Sequence, residues 1–269
     1  MSNTAERKAW LQALETTTRK IAREVVLPYY LNTTHRLKSD GSVLSEADIA
    51  AHHEFAAVLP TLLPGPVLSE EMSAEEQAVQ WARGRSGLWC LDPIDGATNF
   101  VSGIPFFAVS IAYMIDHKPV IGVVYNPVAD ECFGAARGGG AWLNGEALPF
   151  RPAASELRRA VAGVDFKRIS FHLGDELAVR PPYYSQRNFG SSALEWCYLA
   201  AGRLDVYLHG GQKLWDYAAG LLILEEAGGA SAALDGSDIL AGPALSRGVV
   251  AAASPQLFSD WHAWLKTHS

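Results

Sequence analysis

The chain has little that would let it be stapled, anchored or drawn to nucleic acid. Its 269 residues hold only three cysteines, Cys90, Cys132 and Cys197, none of them in a C-x-x-C pair. That scatter argues against a disulfide framework or a zinc site and fits a reducing compartment. No apolar stretch approaches the roughly 20 residues that span a bilayer. The opening MSNTAERKAW lacks the apolar core of a secretory signal. A cytoplasmic protein with no membrane partner is therefore expected. Positive charge is also short: 22 Lys and Arg stand against 29 Asp and Glu, a net charge of −7. A nucleic-acid surface wants a basic stripe, so nucleic acid is not expected as a partner. What the chain does have is apolar residues, 49 % of the total. That is enough for a sizeable core in one large domain or two packed lobes.

Helical spacing of Trp10, Leu11, Leu14, Ile21, Val25 and Val26 predicts a helix over 4–30, ending near Pro28. Lys38-Ser39-Asp40-Gly41-Ser42 reads as a polar turn, and Ser45 with Asp48 three residues on predicts a capped helix to about Leu59. Short β signals follow. An apolar strand over 87–91 ends at Asp92-Pro93. Strands over 106–115 and 120–125 flank a hairpin turn at 116–119, and a third strand covers 132–136. After about residue 151 the pattern alternates. Helices are predicted over 191–201 and 214–227, a buried strand over 249–253 and a terminal helix over 256–267. The expectation is an α/β layered protein with an antiparallel-rich lobe over 1–150, a mixed lobe over 151–269 and the site between them.

The chemistry concentrates in Leu91-Asp92-Pro93-Ile94-Asp95-Gly96-Ala97-Thr98-Asn99-Phe100. An apolar strand runs into two carboxylates, and the proline between them predicts a turn. Acids beside a core are costly unless a cation neutralises them. Asp92, Asp95 and the Ile94 carbonyl offer the hard oxygens that magnesium takes. Gly96 permits close backbone approach, and a helix opening there would aim free N–H groups at a phosphate. A solvated turn capped by Asp95 is the plainer alternative. Glu70-Glu71, just beyond Pro66-Val67-Leu68, and Asp216, at the start of an apolar helix, are further acids at element boundaries. Each has a plain reading too, as a loop acid or a helix-start acid.

Asp92-Pro93-Ile94-Asp95-Gly96 with Thr98-Asn99-Phe100 resembles the first signature of the inositol monophosphatase family. Trp215-Asp216-Tyr217-Ala218-Ala219-Gly220, running to Glu226-Ala227-Gly228-Gly229, resembles the second. Glu70-Glu71 resembles the family's acidic pair, and residues 38–48 its N-terminal loop and helix. Gly190-Ser191-Ser192-Ala193 and the segment 200–205 resemble its substrate-lining region. The resemblance implies an αβαβα sandwich of the inositol monophosphatase and fructose-1,6-bisphosphatase type. It implies a metal-dependent phosphomonoesterase acting on a small phosphorylated metabolite, and a homodimer. Two or three Mg²⁺ ions would be held by Glu70, Asp92, the Ile94 carbonyl, Asp95 and Asp216. Glu70, Asp92, Asp95 and Asp216 would be the catalytic set. The Gly96 and Ala97 amides, with Thr98 beside them, would hold the phosphate; Ser192, Asp95, Asp216 and His209 would face the alcohol. Bound cations would also reconcile a negative chain with an anionic substrate.

Two positions depart from the family pattern. Ala97 stands where a Thr or Ser hydroxyl usually helps orient the attacking water. His209 stands where inositol-hydrolysing members usually carry Glu. An inositol-1-phosphate-like substrate is the first expectation. The alternatives are histidinol phosphate, a 3′-phosphoadenosine nucleotide or a sugar phosphate, and a non-enzymatic metal-binding or regulatory member.

Overall fold

The computed structural model describes residues 3–37, 43–241 and 245–268. The turn expected at 38–42 lies outside the described residues. Helix α1 (Thr4–Ile21) opens on Asn3, whose side chain accepts the Glu6 amide, and buries Leu11, Leu14, Thr18 and Ile21. The helical expectation over 4–30 holds to Tyr29, with a change of winding. After Ile21 the chain continues as a π turn over Ala22–Val26 and a 3-10 turn over Leu27–Tyr29, where Pro28 has no N–H to extend a ladder. Strands β1 (His35–Leu37) and β2 (Val43–Ser45) pair antiparallel. Ser45 and Asp48 then form the expected capping box of α2 (Glu46–Leu62).

Strand β3 (Val67–Ser69) leads to α3 (Ala74–Arg83). The sequence reading missed α3, although Ser73 and Glu76 form a capping box at its start; only Gln77 on it is fully buried. Strand β4 (Leu88–Asp95) is buried along its whole length. It does not turn at Pro93 as expected. The proline falls in an irregularity of pairing between Asp92 and Asp95, where a missing N–H breaks no regular ladder bond. Short α4 (Ala97–Val101) follows, then β5 (Ala108–Ile115) and β6 (Lys118–Asn126). Asp116 and His117 between them both have positive φ, as a tight hairpin of this hand requires. Strands β7 (Glu131–Ala136), β8 (Ala141–Leu143) and β9 (Glu146–Ala147) complete a seven-stranded sheet in the order β3-β4-β5-β6-β7-β8-β9, parallel only at β3–β4.

The second half supplies β10 (Val161–Asp165), α5 (Phe171–Val179), β11 (Ser185–Arg187), α6 (Ser192–Ala200), β12 (Val206–Lys213) and α7 (Leu214–Glu226). It ends with β13 (Ala230–Ala233), β14 (Ser246–Ala252) and α8 (Pro255–His268). These strands form a five-stranded sheet, β11-β10-β12-β14-β13, in which β10 runs parallel to both neighbours and β14 antiparallel to both of its own.

Three apolar clusters define five layers. Leu14 of α1 and Phe55 of α2 pack on Leu91 and Ile111 of the large sheet. Trp196 of α6 and Leu222 of α7 lie between Cys90 and Phe133 of that sheet and Tyr207 and Ala251 of the smaller one. Leu173 of α5 and Trp261 of α8 cover the outer face, against Leu208 and Val250. The order is helices, sheet, helices, sheet, helices, the αβαβα sandwich that the resemblance implies.

The central helix layer is tight. A Cβ built on Gly220 of α7 would lie 2.4 Å from the Cβ of Trp196. An exposed helical Gly→Ala change gains up to about 1 kcal/mol from propensity. Here overpacking, typically about 1–3 kcal/mol, opposes it. Gly220→Ala should therefore lower the midpoint of denaturant unfolding, against the usual sign for a helix. An unchanged or raised midpoint would show that the two helices separate easily.

Candidate active site

Asp92 and Asp95 are set by β4, which two helical layers bury on both faces. The Asp92 Oδ1 accepts the Ile94 amide at 3.0 Å. At Gly96 the backbone turns to φ +92°, a left-handed conformation that favours glycine. A Cβ there would also crowd the Gly190 carbonyl, the Phe106 carbonyl and the Ser191 side chain, each at 3.2 Å. The second half of the chain thus reaches the first directly over this glycine. Asp95 Oδ2 accepts from the Ser191 hydroxyl and from the Ala193 amide at 2.8 Å. Asn99 Nδ2 donates to the Phe106 and Phe189 carbonyls, each at 2.7 Å, so one side chain clasps both halves.

Asp216 arrives on the first turn of α7, its Oδ2 accepting the Lys213 amide at 2.8 Å. The Ser110 hydroxyl of β5 donates to the Trp215 carbonyl at 3.0 Å and fixes that turn against the large sheet. The outcome is that one carboxylate oxygen from each of Asp92, Asp95 and Asp216 falls within 4.8 Å of the others.

Such crowding has an electrostatic cost. Burial, then the like charges of Glu70, Asp95, Asp216 and Asp48, pushes Asp92 well above the ordinary carboxylate range. Asp216 is pushed up by burial and by Asp95 and Glu70, against the opposing Lys213 amide and charge. Asp95 rises to about 6, chiefly through burial, held back by the Ser191 and Ala193 hydrogen bonds. Among the described residues, no arginine or lysine side chain forms an ion pair with any of the three. Hydrogen bonds from the chain orient one oxygen of each carboxylate, and among the described residues the Lys213 charge near Asp216 only partly offsets the group. Oxygen donors of this kind suit a hard divalent cation.

Glu70 stands beside this trio, its amide donating to the Leu91 carbonyl at 3.2 Å, and it acts on all three aspartates as a neighbouring negative charge. Ile94 is buried, Gly96 and Ala97 are half-buried and Thr98 is exposed. Ser192 opens α6 next to Ser191. His209 is buried; its Nδ1 accepts the Gly211 amide at 3.1 Å and its Nε2 lies 3.5 Å from Asp165. Burial holds its pKa down at about 4, against the pull of Asp165. Among the described residues, no hydrogen bond joins His209 to the three aspartates.

Sequence reasoning missed three contributors. Ser191, rather than its neighbour Ser192, supplies the hydroxyl on Asp95. Asp48 looked like a helix cap, and it is one, yet it also adds its field to Asp92. Glu195, buried in α6 with its pKa pushed up to about 7 mainly by burial, accepts the Phe189 amide at 2.8 Å. The available signal was the S-S-A-L-E run opening a helix, which places an acid one turn inside.

A five-layered α/β sandwich with an acidic centre where the large sheet meets the first turn of a central helix defines a narrow class of protein. The profile of the inositol monophosphatase family matches residues 7–267, and the chain belongs to that family. It is 40 % identical over 207 residues to the inositol-1-monophosphatase of Mesorhizobium japonicum, covering 74 % of this chain and 75 % of that one. It is 35 % identical over 242 residues to the Nus factor SuhB of Pasteurella multocida, covering 86 % and 84 %. The crystal structure of the extragenic suppressor protein SuhB from Bartonella henselae superposes with a TM-score of 0.82 at 31 % identity, covering 97 % of this chain and all of that one. A Thermotoga maritima IMPase gives 0.80 at 26 % identity, with 96 % of each chain covered.

The charge crowding has a measurable sign. A carboxylate whose folded pKa lies above its unfolded value keeps protons that the unfolded chain releases, so it destabilises the fold as pH rises between the two. In chelator, Asp92→Asn should unfold later than wild type at pH 8 by on the order of 1–2 kcal/mol, as expected when a functional charge is relieved. That advantage should shrink on acidification. Equal stability across the pH range would mean that Asp92 carries no strain.

Proposed function

We propose that this chain is a magnesium-dependent phosphatase that hydrolyses a small soluble phosphate monoester, with inositol-1-phosphate-like esters first. The observation that carries the reading is the junction of Asp92, Asp95 and Asp216, three crowded acids delivered by two separate halves of the chain. We take these halves as lobes over 1–150 and 151–269. Glu70, Asp92, the Ile94 carbonyl, Asp95 and Asp216 would hold two or three Mg²⁺ ions. When bound, the ions supply positive charge against phosphoryl oxygens and make water a better proton donor.

The rest falls to the chain. Glu70 would take the proton of the attacking water as the water oxygen bonds to phosphorus and the ester P–O bond breaks, the alcohol oxygen leaving with a proton drawn from solvent water. The Gly96 and Ala97 amides would donate to the phosphoryl oxygens, fixed dipoles that favour charge developing in the transition state. Thr98, on the exposed side of α4, would meet the phosphate only at the edge of that cradle. Ser191 and Ala193 would keep Asp95 aimed. Ser192, His209 and Asp216 would face the alcohol. No covalent phospho-enzyme is required.

His209 is the position at which the alcohol would differ from inositol, and the alternatives are histidinol phosphate, a 3′-phosphoadenosine nucleotide or a sugar phosphate. A non-enzymatic role is the second reading. It is favoured by Ala97 and by relatives that carry the name Nus factor. Phosphate release from a panel of these esters, with Mg²⁺ and then with chelator, separates the readings. Turnover that is lost with chelator supports the first, and metal binding without turnover on any ester supports the second. We also propose a homodimer, which light scattering at micromolar concentration tests; a monomer there rejects it.

Ala97 gives a sharper test. A hydroxyl restored at 97 would act on the attacking water and leave the phosphate cradle as it is. It should therefore appear in kcat and not in KM. Ala97→Thr is expected to raise kcat by about 10- to 1,000-fold on the best ester. An unchanged kcat, with wild type already turning over at about 1–10³ per second, would show that another group activates the water.

A further inference from the structure

One turn inside α6 lies a buried acid for which the chemistry above has no use. Glu195 is 2 % exposed, and a carboxyl in such a place is costly unless hydrogen bonds offset the burial. Its Oε1 accepts the Phe189 amide at 2.8 Å, reaching back across the start of its own helix. Its backbone amide donates to the Ser191 carbonyl at 3.0 Å. Side chain and backbone of one residue thus fold the segment 189–195 onto itself. We propose that Glu195 is a positioning residue: it fixes Phe189-Gly190-Ser191 so that the Ser191 hydroxyl keeps Asp95 aimed at a bound metal, a role that rests on the magnesium-dependent reading of the site.

The local geometry shows why this segment needs a second hold. Ser191 occupies the N-cap position of α6, where a serine ordinarily accepts an amide of the first helical turn. Its side chain makes no such bond. The hydroxyl donates instead to Asp95 Oδ2, which also accepts the Ala193 amide at 2.8 Å. With its own cap diverted, the start of α6 is closed by Glu195. Phe189 is gripped at both ends, its N–H by Glu195 of α6 and its carbonyl by Asn99 Nδ2 of α4 at 2.7 Å. Gly190 follows with φ +80°, a position at which a Cβ would lie 3.2 Å from Asn99 Nδ2. Glycine gives the chain freedom to swing there. Without the Glu195 contact, that freedom passes directly to Ser191 and so to Asp95.

A different cause would also link Glu195 to a cation. It repels Asp95 as a like charge, so its field alone would favour a bound metal. Two variants separate position from field. Glu195→Gln keeps an oxygen that can accept the Phe189 amide and removes the charge. Glu195→Asp keeps the charge and is one methylene too short to reach.

The test is calorimetric titration of the full chain with Mg²⁺ and no ester, so turnover is not needed. Loss of a residue that orients a metal ligand typically weakens metal affinity by about 10- to 100-fold. Glu195→Ala, Glu195→Asp and Ser191→Ala should each weaken Mg²⁺ by about 10-fold or more. Glu195→Gln should stay within about 3-fold of wild type, well short of that loss. The double variant Glu195→Ala with Ser191→Ala should be no weaker than either alone, since both break one chain of contacts. If the alanine variant folds poorly, Glu195→Asp carries the comparison. Unchanged affinity in Glu195→Ala or Glu195→Asp overturns the positioning role. So does a Gln variant as weak as the Ala variant, which would leave only the field, or losses at 191 and 195 that add. Absence of Mg²⁺ binding in wild type overturns this role and the magnesium-dependent reading together. The expected pattern of affinities without turnover of any ester supports the role and rejects the phosphatase reading alone.

Discussion

Asp92, Asp95 and Asp216 hold like charge in a place where water is scarce, and much of the surrounding structure exists to keep them there. Each is oriented by hydrogen bonds from the chain, and none is neutralised by a protein side chain among the described residues. The pairing irregularity in β4 sets Asp92 and Asp95 on one stretch of strand, Gly96 lets the second half approach, and Asn99 clasps both sides. A fold optimised for stability alone would replace these acids with apolar side chains. Their presence costs stability that a bound cation would offset.

The clustered acids were legible because the pattern is local in sequence. Two carboxylates around a proline, followed by glycine, announce a strand exit, and Asp216 begins a helix whose remaining face is apolar. Most of the layered fold was legible as well, since long buried strands and apolar helices carry strong periodicity. Helix α3 buries only Gln77 fully, and its signal was the Ser73–Glu76 capping box that the sequence reading passed over. What else escaped was set by tertiary contacts. Pro93 looked like a stop, because a single strand cannot reveal that its neighbour will accommodate a bulge. Ser191 and Ser192 are equivalent on paper, and only the entry angle of α6 decides which hydroxyl meets Asp95.

His209 illustrates the same limit from the other side. Its position in the sequence pointed to the alcohol end of a substrate. The structure adds that both ring nitrogens already have neighbours, Gly211 and Asp165, and that burial favours the neutral ring. An acidic residue at this place would sit beside Asp165 and repel it; a neutral imidazole does not. The departure at 209 is thus linked to the identity of residue 165, a pairing across parallel strands β10 and β12 that sequence spacing does not display.

Helices α6 and α7 are the shared lining of two sheets. Trp196, Leu222 and their neighbours have the large sheet on one side and Tyr207, Val249 and Ala251 on the other, and Gly220 lets the helices touch almost backbone to backbone. Neither sheet owns this layer. If the smaller sheet frayed, it would uncover the apolar backing of the larger one, and each would lose the partner that makes its own burial favourable. Among the described residues, the two large sheets and the helices between them have no part that can melt alone at little cost. Heat or denaturant should meet a single cooperative object, in which the acids come apart only when everything else does.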